Sequence, residues 1–580
     1  EMGAVTGVEV DDSVADDYAL PGACVGSSFT WLWGPNGMSE WPANMCALEA
    51  DLASVDQTFG GTFTAPNLLT DKDGISTERY PADNDEIWEL SPTTGEIEYG
   101  ETEVSFWCSL PQELDTSCSE GNPEGTPFCK PFPVVMYAHG YGGSRNEISL
   151  HMGRHNAMGY AMCSLDSYGH GLTRWREDPV AGAAIRVAGI EFDRNGVAEL
   201  GGLLTNGRDR DLNNDGLADP GADMWTSDVF HTRDMVRQSV IEYMQFVRML
   251  RSMDGERTDF HGNILGDVDL DGQIDIGGPE NTIGMWGISL GGIISGVLAG
   301  SEPSIDAVSP NAGGAGLVDI SVRARQAGVP DAVVMPMLGQ LIVGCIPHDA
   351  HQNPIPMGEA TDRDCLKTDA PDELKGGDLR FAFIANDNAR DATREFATLE
   401  GAQPGDRIVA TNLNSGESKE TVINERGWFR LGMPADALDP ITRRSLLGLG
   451  EQSTEPGMVS DNLELADGIL IEVYREDESL GSIDTFQQEV VFQGTRYAQG
   501  STLVVLQEGL GYERNTPDFA QFMAFAQSAL SMADPGVWGS HSFLEPLNFD
   551  YDPYARGTHV LMMPTAGDVN VPVNTGIAMG

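Results

Sequence analysis

The run Gly287-Ile288-Ser289-Leu290-Gly291-Gly292 constrains the fold of this chain more than any other six residues. Ahead of it, Asn281-Thr282-Ile283-Gly284-Met285-Trp286-Gly287 reads as a short buried strand, and behind it Leu290 to Gly300 reads as a helix of small and apolar residues. A strand that turns straight into a helix needs small neighbours at the turn, and Gly287, Gly291 and Gly292 supply them. The serine oxygen then projects at a helix N-terminus. As a bare G-x-S-x-G the match is weak, because 69 glycines in 580 residues give about half an instance by chance. The strand before and the helix after make it specific; the alternative is a serine that only caps a helix.

The flanking chain alternates strands and helices in the same way. Thr102, Val104 and Phe106 alternate with Glu103 and Ser105. Pro133–Ala138 is a buried strand that ends in His139-Gly140-Tyr141-Gly142-Gly143, and Gly159–Leu165 is another that ends in Asp166-Ser167-Tyr168-Gly169-His170-Gly171. Asp234 to Met253 places Val236, Val240, Met244, Val247 and Leu250 on one helical stripe. The pattern predicts an α/β fold, a mostly parallel sheet with helices on both faces. Residues 318–545 break the rhythm with alternating runs at 379–385, 407–412, 468–474, 489–492 and 502–506. Such spacing predicts a large insert containing a β-sandwich. A helix follows from Phe519 to Met532, with Thr516 as N-cap and Pro517 at its first position, and Asp534-Pro535-Gly536 ends it. Thr558–Met563 resumes the buried-strand pattern. The expected organisation is an irregular or β-rich segment over 1–100, a first core part over 101–317, the insert over 318–545 and a second core part over 546–580.

The H-G-x-G-G turn at 139–143, the turn at 166–171 and the elbow at 287–292 together resemble the α/β-hydrolase superfamily. The narrower likeness is to large exported bacterial lipases and esterases, to which Arg514-Asn515-Thr516-Pro517-Asp518 and Ala533-Asp534-Pro535 contribute. The resemblance covers 101–317 and 546–580, and puts the insert in the cap position between the sixth and seventh strands. It implies Ser289 as nucleophile and an oxyanion hole of backbone amides from Gly140, Tyr141 and Leu290. It also makes the strands of Cys108 and Cys163 sheet neighbours, within reach of a disulfide. Gly567-Asp568-Val569-Asn570-Val571-Pro572 resembles the family's G-x-D-x-x-V-P turn with one residue fewer before the Asp, which makes Asp568 the acid that orients the base.

The family's base histidine follows the acid, whereas all ten histidines (139, 151, 155, 170, 231, 261, 348, 351, 541 and 559) precede Asp568. His139 and His170 belong to turns that they are expected to orient. The base is therefore expected on chain beyond residue 580, for instance a C-terminal fragment of the same precursor. The activity implied is hydrolysis of carboxylic esters, on an ester or lipid-like small molecule. The competing reading is a non-catalytic structural subunit of an extracellular or surface assembly on a hydrolase scaffold.

Bulk properties narrow the partners. With 34 basic and 89 acidic residues the net charge is −55, which repels nucleic acid at long range. No uninterrupted apolar run reaches the roughly 18 residues of a membrane helix. The chain opens at Glu1 without a basic, apolar leader, and secretion or display on the outer surface of a bacterium is expected, with any export signal removed or outside these residues. Eight cysteines without a C-x-x-C pair favour disulfides over zinc; Cys118–Cys129 and Cys345–Cys365 are the local pairings expected. A homo-oligomer is compatible with this surface. Two acidic loops fit D-x-[DN]-x-[DN]-G, one with Asp211, Asn213, Asp215, Leu217 and Asp219, the other with Asp267, Asp269, Asp271, Gln273 and Asp275. Alternate carboxylates and a seventh-position carbonyl suit calcium, although Ala222 and Gly278 stand where an EF-hand has its glutamate. The second loop precedes the elbow strand, so calcium there is expected to fix the geometry of the serine.

Overall fold

The computed structural model describes residues 54–70, 86–113, 118, 125–173, 206–210, 218, 220–221, 223–224, 229–259, 262–324, 340–349, 353, 355, 376–384, 393–435, 467–492, 495–506, 509–512, 516–548, 557–568 and 570–579. Alternating apolar residues form two long antiparallel strands, β1 (Val55–Asn67) and β2 (Gly100–Pro111). β2 in turn pairs with β4 (Ala161–Leu165), which lies beside β3 (Val134–Ala138). β5 (Ile283–Ile288) and β6 (Ala307–Asn311) continue the sheet, and the last strand, β16 (His559–Val560), closes it. The order is β1-β2-β4-β3-β5-β6-β16, with every pairing from β4 onward parallel. A sheet of this order with the nucleophile-type turn after its fifth strand is the α/β-hydrolase fold. The sheet begins at Val55, well before the expected start at residue 101, because β1 is its edge rather than part of a separate β-region.

Helices cover both faces. On one side lie α2 (Val229–Arg251), α3 (Leu290–Ser301), α4 (Leu317–Arg323), α5 (Pro517–Leu530) and α6 (Pro535–Phe543), around Val134, Met136, Ile283, Met285, Phe246 and Ile294. On the other, a 3-10 helix Arg145–Leu150 and α1 (Met152–Asn156) cover Tyr137 and Met162, with Trp107 and Trp286 alongside. All twelve residues of α3 are buried, which explains its small-residue sequence. α2 starts at Val229, five residues ahead of the expected Asp234.

The insert is a β-sandwich with its own core. One sheet runs β9-β8-β7-β12-β15, from strands β7 (Gln340–Cys345), β8 (Gly377–Ile384), β9 (Thr393–Ala402), β12 (Trp428–Ala435) and β15 (Gly509–Leu510). The other runs β11-β10-β13-β14, from β10 (Arg407–Asn412), β11 (Ser418–Val422), β13 (Ile469–Arg475) and β14 (Glu478–Ile483). Phe381, Phe383, Phe396, Phe429 and Phe486 fill the space between them. The run 502–506 makes only isolated bridges.

Cys108 and Cys163 are bonded across β2 and β4, and Cys118 is bonded to Cys129. Cys345 is also in a disulfide, whose partner lies outside the described residues. Asp534 does more than end α5. One oxygen accepts from Gly536 N (2.9 Å) as the N-cap of α6, and the other accepts from Gly316 N (2.7 Å), Leu317 N (3.0 Å) and Gln527 Nε2 (2.7 Å). One buried carboxylate thus ties the starts of α4 and α6 to α5. Asp534→Ala is expected to cost about 3 kcal/mol, since several buried donors lose a charged acceptor. A fall of less than about 1 kcal/mol in urea unfolding would show that water replaces the carboxylate there.

Candidate active site

The elbow is built by close backbone contact. Ser289 has φ 56° and ψ −114°, a region that a non-glycine residue occupies at a cost of about 1–3 kcal/mol. It is held there by Ser289 N donating to Asn311 O (3.0 Å) and by its carbonyl accepting from Ile293 N (3.1 Å). A Cβ on Gly291 would overlap the carbonyls of Ala138 and His139, and one on Gly287 would overlap the backbone of Gly291. A Cβ on Gly292 would press on Asn311 O at 2.7 Å. The first turn of α3 therefore lies directly on the end of β3. The same approach brings Gly140 to the serine: a Cβ placed on Gly140 would be 3.8 Å from Ser289 Cβ.

The amides of Tyr141 and Leu290 have no hydrogen-bond partner among the described residues, and both flank this contact. The Gly140 amide lies beside the Glu147 carboxylate, whose charged form it favours. Ser289 Oγ has no partner among the described residues either.

His139 and His170 orient turns, as expected. His139 Nε2 accepts from Ser167 N (2.9 Å), so the ring proton is on Nδ1, which donates to Gly140 O (2.8 Å). His170 Nδ1 donates to Tyr168 O (2.9 Å), and its buried Nε2 has no partner among the described residues. Its ring packs edge-on against Tyr141, with centroids 5.7 Å apart. Behind them a fully buried pair, Arg145 with Asp166, joins the two turns, Arg145 N also donating to Asp166 Oδ1 (2.6 Å). Gly221 packs on this layer, its N donating to Gly169 O (2.8 Å). Sequence reasoning missed Arg145, Asp166 and Glu147 as site-shaping residues; charged side chains beside a glycine turn look like solvent-facing ones until their burial is seen.

Asp568 lies beyond β16, past Met563, whose carbonyl accepts from Ala312 N (3.0 Å) next to the residue that holds Ser289 N. Its Oδ1 accepts from Asn570 N (2.8 Å) and Val571 N (3.0 Å), leaving Oδ2 without a partner among the described residues. The strand before it differs from expectation: only His559–Val560 is regular, and Leu561 is 63% exposed, because nothing among the described residues pairs with its outer edge. His559 sits at the start of this strand, and His541 Nδ1 donates to Glu545 O (2.9 Å) rather than bonding to the serine. No described histidine is hydrogen-bonded to Ser289 or Asp568.

Of the two acidic loops, the first lies outside the described residues except for Ala218, so Asp211, Asn213, Asp215, Leu217 and Asp219 have no place in this geometry. In the second, the carboxylates of Asp267, Asp269 and Asp275 come within 4.8 Å of one another. Lys130 Nζ lies against Asp269 (2.6 Å), Asp271 (2.9 Å) and Asp275 (2.8 Å), while Gln273 N donates to Asp271 Oδ1 (2.8 Å). This loop does not touch the serine turn directly. Phe132 N donates to Asp275 O (2.8 Å), which puts the loop at the entry ends of β3 and β5, about 20 Å of strand away from the exit ends that carry the turns.

No family model matches the chain, and no curated protein does. Among solved structures, similar chains include the Est1E esterase of Butyrivibrio proteoclasticus with ferulic acid bound, at 14% identity over 39% of this chain and 55% of that one, with a TM-score of 0.20. The rice cell wall degrading esterase LipA of Xanthomonas oryzae is 12% identical over 48% of this chain and 50% of its own, with a TM-score of 0.21. An acetyl xylan esterase from Paenibacillus sp. R4 is 13% identical over 53% and 69%, also at 0.21. The alignments span about half the length of the first two relatives.

Burial lowers the pKa of His139 from 6.5 to about 4 and that of His170 to about 3. Both lie below the unfolded value, so the unfolded chain takes up protons first as the pH falls. The stability these rings contribute is complete above pH 6.5 and is lost toward pH 4, at up to roughly 1.4 kcal/mol per pH unit for each ring. The urea midpoint is expected to fall across that window, and the fall to be shallower in His170→Asn. Equal slopes in the two proteins would mean that His170 is protonated in the folded state.

Proposed function

We propose that the chain is a secreted serine hydrolase of carboxylic esters, lipase- or esterase-like, in which Ser289 attacks the acyl carbon. The observation that carries this reading is the elbow itself. A serine held at φ 56° against Gly140, with the open amides of Tyr141 and Leu290 beside it, is costly to keep and suits a tetrahedral oxyanion. Asp568, with Oδ2 open, is the acid that would hold an imidazole in the tautomer needed to take the serine proton. The imidazole comes from polypeptide outside the described residues, and the outer edge of β16, which pairs with nothing among the described residues, is where a strand bearing it fits. Attack transfers the Ser289 proton to that histidine and forms the acyl-enzyme, the alcohol leaves with the proton, and water reverses the sequence. The substrate class is an ester or lipid-like small molecule. The absence of a helix long and apolar enough to cross a membrane, among the described residues, and the disulfides are compatible with export.

A second proposal concerns calcium in the loop of Asp267, Asp269, Asp271, Gln273 and Asp275. The convergent carboxylates support it, and Lys130 competes for the same oxygens, so the affinity is weak and the role is to brace the entry ends of β3 and β5. Millimolar calcium should raise the melting temperature of Lys130→Met more than that of the wild type, leaving ester turnover at 25 °C unchanged. No shift in either protein removes calcium from this loop.

The central test is fluorophosphonate labelling of the native material read by mass spectrometry. Stoichiometric modification of Ser289, absent in Ser289→Ala, is the expected result. Folded protein that stays unlabelled overturns the hydrolase reading and leaves a structural subunit on a hydrolase scaffold.

A further inference from the structure

The glycine turn after β3 is folded around a carboxylate. Tyr137 Oη donates to Glu147 Oε2 (2.7 Å), and the backbone amides of Gly140 and Ser144 lie beside the same carboxylate and favour its charged form. A Cβ on Gly143 would overlap Glu147 Oε1, so the glycine there makes room for the acid. The Gly140 carbonyl is held as well, accepting from His139 Nδ1 (2.8 Å) and Gly143 N (3.0 Å).

These contacts aim one particular donor. The Gly140 carbonyl and the Tyr141 amide belong to one planar trans peptide, so fixing the oxygen fixes the opposite direction of the N–H. Tyr141 N–H therefore points opposite to the held Gly140 carbonyl, on the residue next to Gly140, where an added Cβ would stand 3.8 Å from Ser289 Cβ. Burial raises the Glu147 pKa, and the Tyr137 hydroxyl and the amides of Gly140 and Ser144 oppose that rise, as expected for a carboxylate kept inside for what it binds.

We infer that Glu147 is a positioning residue whose carboxylate, packed against Gly143, sets the glycine turn that holds the Gly140 carbonyl, so that the Tyr141 amide on the same peptide serves as an oxyanion donor. The inference rests on the ester-hydrolase reading of Ser289. Glu147 touches no reacting atom and acts through the glycine turn. A displaced donor weakens the transition state and leaves ground-state binding of the ester largely intact, so its loss appears in kcat and not in KM.

The test compares wild type, Glu147→Ala, Glu147→Gln and Tyr137→Phe in the native protein that labels at Ser289. Two quantities are read: steady-state ester hydrolysis per labelled serine, and inhibition by a trifluoromethyl ketone, which forms an oxyanion on the serine. Glu147→Ala is expected to lower kcat by about 10- to 100-fold with KM within about twofold, and to weaken the ketone in parallel. Glu147→Gln keeps a side chain against Gly143 and an acceptor for Tyr137 Oη, and is expected to recover most of both, while Tyr137→Phe, which removes one bond without emptying the turn, falls between. The inference is overturned if Glu147→Ala and Tyr137→Phe keep kcat and ketone affinity within about twofold of wild type. It is equally overturned if activity per labelled serine is unchanged and only the labelled fraction falls, since that marks lost folding. Wild type that fails to label at all is a different outcome, and counts against the hydrolase reading itself.

Discussion

The contact on which the site depends is the approach of α3 to the end of β3, made possible by the missing side chain of Gly291. With hydrogen there, the backbone of the helix rests on the carbonyls of Ala138 and His139; with any larger group it stands off. That spacing decides where Ser289 lies relative to Gly140, and hence whether the amides of Tyr141 and Leu290 face one small volume or two. The strained φ of the serine is the local cost, and the dispersion and apolar burial of the twelve residues of α3 offset it. The chemistry of the elbow is therefore inseparable from the packing of the helix behind it.

Around this contact, polar groups do the work that apolar packing does elsewhere. Arg145 with Asp166, Arg208 with Glu242, and Arg210 with Glu86 and Asp223 each join a loop to the core, and His231 adds hydrogen bonds to Glu86 O (2.7 Å) and Asp223 O (3.0 Å). Each arginine offers a rigid fork of donors, so one side chain satisfies several acceptors that burial would otherwise leave bare. Such pairs add little net stability against an apolar alternative, but they fix one arrangement, because breaking a pair strands a buried charge. Fixed arrangement is what three loops converging on one serine require. It also places three of the 34 basic residues of a chain at −55 in buried or half-buried pairs.

The sequence made the parallel core legible because strand and helix periods there are short, clean and bounded by glycines. β3, β4, β5 and α3 lie within two residues of their expected limits, and the insert is a sandwich as its alternation suggested. What escaped has physical reasons. β1 is separated from its partner β2 by more than thirty residues, and long-range antiparallel pairing leaves no local mark. α6 is announced only by Asp534-Pro535, which reads equally as the end of α5, since an aspartate before proline serves either purpose. Thr558–Met563 has the composition of an inner strand and the position of an edge. In the candidate site, motif spacing singles out Ser289, Asp568 and the amides of Tyr141 and Leu290, whereas it could not single out Glu147, because a half-buried acid in the first turn of a short helix has the same sequence as a solvated one.

The edge strand and the unfilled chemistry of the site pose one problem. A parallel sheet is ordinarily covered on both faces, yet Val560, Leu561 and Met563 are exposed at the β16 side, and the outward backbone groups of that strand lack partners among the described residues. The same side ends at Asp568, whose Oδ2 has no partner among the described residues and which, in the proposed hydrolase, receives the imidazole N–H. A strand laid on β16 would bury the apolar residues, pair the free backbone groups and deliver its following turn to the level of Asp568. Both deficits lie on one border of the sheet, so a single histidine-bearing segment satisfies them together, and neither the hydrophobic effect nor the catalytic geometry asks for a second device.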